Sequence, residues 1–155
     1  MAQRSVQTAY GTFDLFTYLD KTTQRAILAL RKGEVCSDAE TLVRVHEPLS
    51  VMDFLEQVDY SHSTSVHDAL KKISQSPCGV LVLMHHGETS HDLLTRAAAT
   101  LEAHPELRWD PRSYGIGAQI LRDLGVGKMR LLATPRKLPS MTGFGLEVVG
   151  YACHE

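Results

Sequence analysis

Asp110-Pro-Arg-Ser-Tyr-Gly-Ile-Gly-Ala-Gln-Ile-Leu-Arg-Asp-Leu-Gly-Val-Gly-Lys-Met-Arg-Leu-Leu132 is the stretch that decides how this chain folds. Ile116, Ile120, Leu121 and Leu124 recur at i, i+4, i+5 and i+8, which draws one apolar stripe along a helix. Gly125 follows the stripe where a helix commonly ends on a left-handed residue. Lys128 to Leu132 then reads as a strand.

Gly79-Val-Leu-Val-Leu-Met84 is an unbroken apolar run of the kind found in strands covered on both faces. Thr41 to His46 alternates, with Val43 and Val45 on one side and Arg44 and His46 on the other. Tyr10 to Tyr18 is aromatic and β-branched, and Ala26 to Leu30 ends at a Lys32-Gly33 turn. Ser50 is placed to cap a first short helix, and Leu70 and Ile73 mark the apolar side of a second, from Val66 to Ser74. Leu93 to Ala103 is rich in Ala and Leu and stops before Pro105. The segment from Ala133 to Gly145 reads as a loop, and Phe144 to Ala152 as a last strand. Strands and helices are interspersed, so the expected class is α/β, with α+β as the alternative: one domain built on a single mixed sheet flanked by helices. Residues 1–8 are read as a linker and 9–155 as the domain.

Composition narrows the function. At 155 residues the chain suits one domain, and 43% hydrophobic with 22% charged residues is ordinary for a globular protein. A formal net charge of −2 argues against a general nucleic-acid or membrane binder. No run approaches the roughly 20 apolar residues of a membrane span. Cys36, Cys78 and Cys153 are odd in number and widely spaced, which fits a cytoplasmic protein rather than a disulfide framework.

Asp110 to Leu132 resembles the D-x-R-x-Y-G-I-G-A-Q-I-L-R-D-L-G signature of GTP cyclohydrolase II, a zinc hydrolase of riboflavin biosynthesis. Leu42-Val-Arg-Val-His-Glu47, Pro135-Arg-Lys137 and Gly145-Leu-Glu-Val-Val149 resemble further parts of the same family, so the likeness runs through nearly the whole chain. The opening Tyr10 to Tyr18 looks like the strand that follows the linker in proteins carrying an N-terminal 3,4-dihydroxy-2-butanone 4-phosphate synthase domain. By this resemblance Asp110 takes the place of a proton acceptor and Arg112 that of a nucleophile toward the α-phosphorus. Arg44, His46, Glu47 and Lys137 take nucleotide-binding places, GTP or another nucleotide being the ligand implied. The family also implies a homodimer and, as a fused or separate partner, the synthase domain.

The chain departs from the family at the metal. Opening the imidazole ring of GTP needs water activated at neutral pH, which the family obtains from zinc held by three cysteines. The first of those positions aligns with Pro48, and the other two fall on or near Tyr60 and His62. No metal site and no bound cofactor are therefore expected. An arginine that would pair with triphosphate aligns with Glu88, and the segment from Gly87 to Asp110 is shorter than the family's. The expectation is a degenerate cyclohydrolase-like domain with a structural, dimerising or regulatory role; the alternative is an active enzyme with an altered metal site, giving a diaminopyrimidine, formate and pyrophosphate.

Plainer readings stand beside several of these residues. Asp110 and Arg112 can form a structural ion pair at a helix start. His62, His67, His85, His86 and His91 read as solvated, since His86 and His91 are five apart rather than four. Gly115-x-Gly117 suggests either a phosphate-binding helix start or close helix packing, and Cys78 reads as buried and inert.

Overall fold

The computed structural model describes residues 2–46, 66–84, 90–98, 111–132 and 142–152. Its elements are β1 (Ala2–Thr8), β2 (Gly11–Leu19), β3 (Ala26–Lys32), β4 (Glu40–His46), α1 (Val66–Gln75), β5 (Gly79–Met84), α2 (Ser90–Ala98), α3 (Pro111–Asp123), β6 (Lys128–Leu131) and β7 (Glu147–Tyr151). Among the described residues the strands form one mixed sheet in the order β1-β2-β3-β5-β4-β6-β7. From β1 to β5 the pairings are antiparallel; β5, β4, β6 and β7 run parallel.

Local chemistry closes the antiparallel end. The β1–β2 hairpin turns at Ala9-Tyr10, where Tyr10 N–H donates to Thr8 Oγ1 (3.1 Å) and the Thr8 hydroxyl donates to the Gly11 carbonyl (2.8 Å). Gly11 has φ +118°, a value that side-chain-bearing residues rarely adopt. The β2–β3 turn is held by Asp20, whose carboxylate accepts from Thr22 N–H (2.9 Å) and the Thr23 hydroxyl.

Alternation along the strands sorts the core into two layers. Phe16, Ile27, Ala29, Val43, Val80, Val82 and Met84 pack with Ala118, Ile120, Leu121 and Leu124 of α3. Their neighbours Phe13, Leu30 and Leu81 pack on the opposite face with Ala69, Leu70 and Ile73 of α1. β5 is central and covered by both layers, which is why its sequence shows no alternation. β5 and β6 flank β4 on opposite sides, and the two parallel crossovers carry α1 and α3 on opposite faces. That is the arrangement two crossovers of the same hand produce when they step in opposite directions across a sheet. The outcome is α/β.

α3 ends as its sequence indicates. Val126 N–H donates to the Leu121 carbonyl (3.0 Å) and Gly125 N–H to that of Arg122 (3.1 Å), with Gly125 at φ +92°. This paired cap satisfies carbonyls the helix leaves open, and Leu121 and Val126 join the same core layer. Two residues on, a Cβ at Gly127 would lie 2.5 Å from the Ser37 carbonyl oxygen, so the entry to β6 needs glycine.

Several boundaries differ from those read in the sequence. The supposed linker is a strand: Ala2 to Thr8 pair along their length with Thr17 to Gly11. Its polar residues, mostly exposed, hid it, because an edge strand outside both core layers carries no apolar alternation. α2 begins at Ser90, three residues before Leu93, and its expected end at Ala103 lies outside the described residues. β7 starts at Glu147, since Thr142–Phe144 forms a 3-10 turn and Gly145 takes φ +73°. Gly115 and Gly117 lie inside α3, four and six residues past its start, so neither opens the helix. Among the described residues a Cβ at Gly117 would meet nothing within 4 Å, so none of them packs closely enough to require glycine there.

Candidate functional site

In an open α/β sheet, ligands sit at the carboxyl ends of parallel strands where neighbouring strands send their crossovers to opposite faces. Here those neighbours are β4 and β5: β4 leads to α1 on one face and β5 toward α3 on the other. Their last pairs are Arg44 with Leu81, Val45 with Val82 and His46 with Leu83. Val45 packs in the α3 layer. Arg44 and His46, half-buried, stand on the α1 face by the alternation that places Leu42 in that layer. Two of the four residues expected at a nucleotide site, Arg44 and His46, are thus at the end of β4.

Arg44 has a defined partner. Its Nη1 donates to the Leu132 carbonyl at 2.9 Å, from β4 across to the residue after β6. Leu132 is fully buried and gives its own N–H to Val43 (2.8 Å), and the adjacent Leu131 carbonyl accepts from Ala152 N–H (2.7 Å).

Arg112 is the second residue of α3, behind Pro111 at the first helical position, where a missing N–H does no harm. Because α3 passes directly into the start of β6, its opposite end, with Arg112, points toward the pole at which β4 and β5 finish. Asp110, Glu47 and Lys137 lie outside the described residues, as do Pro48, Tyr60, His62, His85, His86, Glu88 and the Ser50 cap. In sequence, Glu47 directly follows β4, Asp110 directly precedes α3 and Lys137 follows β6. The described fold therefore brings Arg44 and His46 together on one strand and turns the Arg112 end of α3 toward them.

Other charged groups serve the frame. Arg130 pairs with Glu40 at the opposite end of β4, which holds the Glu40 carboxyl below its ordinary range. Lys32 Nζ donates to the Ser76 carbonyl (2.7 Å) and to that of Ser74, closing the carboxyl end of α1 with a positive charge. The Tyr18 hydroxyl donates to Asp123 Oδ2 at 2.8 Å, tying β2 to the end of α3. Burial, and then that carboxylate, push the Tyr18 phenol above its ordinary range. No local sequence signal marks this pair, which is 105 residues apart.

Among the histidines, His67 on α1 and His91 on α2 are exposed, and the His67 ring meets Tyr10 edge-on at 6.4 Å. Cys78 is buried beneath the Glu40 carbonyl (3.6 Å), as its place before an apolar strand suggests, while Cys36 is exposed. Among the described residues no group of three or more His, Cys, Asp or Glu side chains is placed to hold a metal ion. No described helix is long and apolar enough to cross a membrane.

The comparisons extend over the whole of this frame. The sequence model of GTP cyclohydrolase II matches residues 1–153. A 3,4-dihydroxy-2-butanone 4-phosphate synthase of Neisseria meningitidis serogroup B is 48% identical over 151 residues, 97% of this chain and 41% of the relative. The riboflavin biosynthesis protein RibBA of Aquifex aeolicus is 38% identical over 162 residues, 96% of this chain and 40% of the relative. The crystal structure of RibBX from A. baumannii, described as a two domain 3,4-dihydroxy-2-butanone 4-phosphate synthase, superposes with a TM-score of 0.65 at 32% identity, over 100% of this chain and 39% of that one. The chain spans about two fifths of the length of these relatives. With the signature helix, the mixed sheet and a family match running nearly end to end, the chain belongs to the GTP cyclohydrolase II family.

Proposed function

We propose that this chain is a degenerate GTP cyclohydrolase II-like domain that works as a structural, dimerising or regulatory module beside a 3,4-dihydroxy-2-butanone 4-phosphate synthase domain. The observation that carries this reading is the donor set. Pro48 stands where the family has its first zinc cysteine and offers no ligand atom, and Tyr60 and His62 stand on or near the other two positions. Zinc would supply the activated water for ring opening, and these residues do not fit the three-thiolate site that holds it. Glu88 in place of a phosphate-binding arginine opposes a polyanion by charge. The description of RibBX as a two-domain synthase supports the proposed partner. Asp110 and Arg112 are then vestigial, and Arg44, His46, Glu47 and Lys137 retain at most weak affinity for GTP or another nucleotide. Cytoplasmic placement is part of the proposal and is supported by the free thiols of Cys36 and Cys78.

The test is elemental analysis after dialysis together with formate release from GTP. The expected result is no stoichiometric zinc and turnover at background with added zinc or magnesium. The second reading, an active cyclohydrolase with an altered metal site, is favoured by the retained Asp110-to-Leu132 stretch. It is established if about one zinc per chain is lost on substituting His62, His85 and His86 and turnover disappears in Asp110→Ala. Sedimentation at micromolar concentration tests the homodimer, and a monomer removes the dimerising role.

A further inference from the structure

Arg44 belongs to the run that the resemblance reads as nucleotide-binding. Its geometry points elsewhere, and we infer that Arg44 is a positioning residue, a strut from β4 that fixes the backbone where β6 ends. This goes beyond the proposed function and depends only on how β4, β6 and β7 are joined.

The last β4–β6 pair is Val43 with Leu131, so the Leu132 carbonyl lies one residue past the parallel ladder. Leu132 is fully buried, and a buried carbonyl without a donor is costly. Arg44 Nη1 supplies a charge-assisted donor at 2.9 Å, reaching across 88 residues of sequence. Immediately around it, Leu132 N–H bonds Val43 and Ala152 N–H bonds the Leu131 carbonyl. Arg44 is thus the side-chain link in a series of backbone bonds that joins the ends of β4, β6 and β7. In sequence, residues 133–141, with Lys137, directly follow the peptide that Arg44 holds. Its action runs through the Leu132 backbone, and a planar guanidinium fixes a carbonyl's direction better than a single ammonium.

Amide hydrogen exchange on the full chain tests this, with Arg44→Met and Arg44→Lys beside the unaltered protein and pyrophosphate as an anion probe. The expected result in Arg44→Met is exchange at least tenfold faster at Leu132 and Ala152, with Ala29 and Leu30 of β3 unchanged. Arg44→Lys should restore part of that protection, and pyrophosphate should leave the Leu132 amide of the unaltered protein as it was. Unchanged protection at Leu132 in Arg44→Met overturns the strut, and so does an equal loss at every site. Pyrophosphate-dependent exchange at Leu132 that vanishes in Arg44→Met makes Arg44 an anion ligand and also overturns it. Should Arg44→Met not fold, Arg44→Gln is read by the same criteria.

Discussion

The two faces of the sheet are built differently. Among the described residues the α3 face is the larger layer, an apolar sheet surface from Phe16 to Met129 closed by Ile120, Leu121 and Leu124. The α1 face is a smaller layer around Phe13, Leu81 and Ile73, and it is this face that carries Arg44 and His46 at the end of β4. The same strand supplies both: Val43 is fully buried against α3, and Arg44 beside it reaches for the end of β6. Both faces bury apolar side chains, and the α1 face also carries polar side chains at the end of β4.

The sharpest way to break this comparison is to trim one leucine on each face, buried on the α3 side and half-buried two residues before Arg44 on the α1 side. Leu121→Ala, on the α3 face at 3% exposure, should lower unfolding free energy by about 2–5 kcal/mol in urea titrations. Leu42→Ala, half-buried on the α1 face, should lower it by less than half as much. Equal losses would dissolve the distinction. The glycines of the α3 crossover come next, with opposite signs. Gly127→Ala should destabilise by about 1–3 kcal/mol, because its Cβ would press on the Ser37 carbonyl. Gly117→Ala, inside α3 with open space around the new carbon, should stabilise by about 0.5–1 kcal/mol. A loss at Gly117 would mean that a group outside the described residues comes close there.

Smaller effects lie in the tie between β2 and α3. Tyr18→Phe should cost at most about 0.5–1.5 kcal/mol near neutral pH, the range for one hydrogen bond. Its pH dependence is more telling. The folded phenol titrates above its ordinary value, so its contribution is complete below about pH 10 and fades as pH rises toward the folded value. The Phe variant should lack that alkaline loss, and identical alkaline limbs in both proteins would remove the Tyr18–Asp123 bond from the account. Smallest of all is Glu40→Gln. The carboxyl is held low by Arg130, so the pair contributes above the unfolded carboxylate range and is lost as pH falls through the folded value. Being exposed, it should vanish in high salt.

What could be read in the sequence follows from where burial writes a pattern. The α3 stripe, the Gly125 cap, the unbroken β5 run and the alternation in β4 all sit inside the core, and each left a period that the structure repeats. β1 had none to leave, since its Arg4, Ser5 and Gln7 lie on an edge strand beyond either helix. The candidate site was legible only as residue types. Arg44 and His46 were marked by resemblance, and their shared place at the end of β4 followed from alternation.

The sequence by itself determined the family signature and the core stripe of α3, because each is a matter of residue identity at fixed spacing. The tertiary structure alone decided that β5 and β6 lie on opposite sides of β4, and that Arg44 meets the Leu132 carbonyl. Local periodicity records which side of an element is buried and cannot record which distant strand lies alongside it. Strand order, and every contact that depends on it, is set only when both helices find their faces of the sheet.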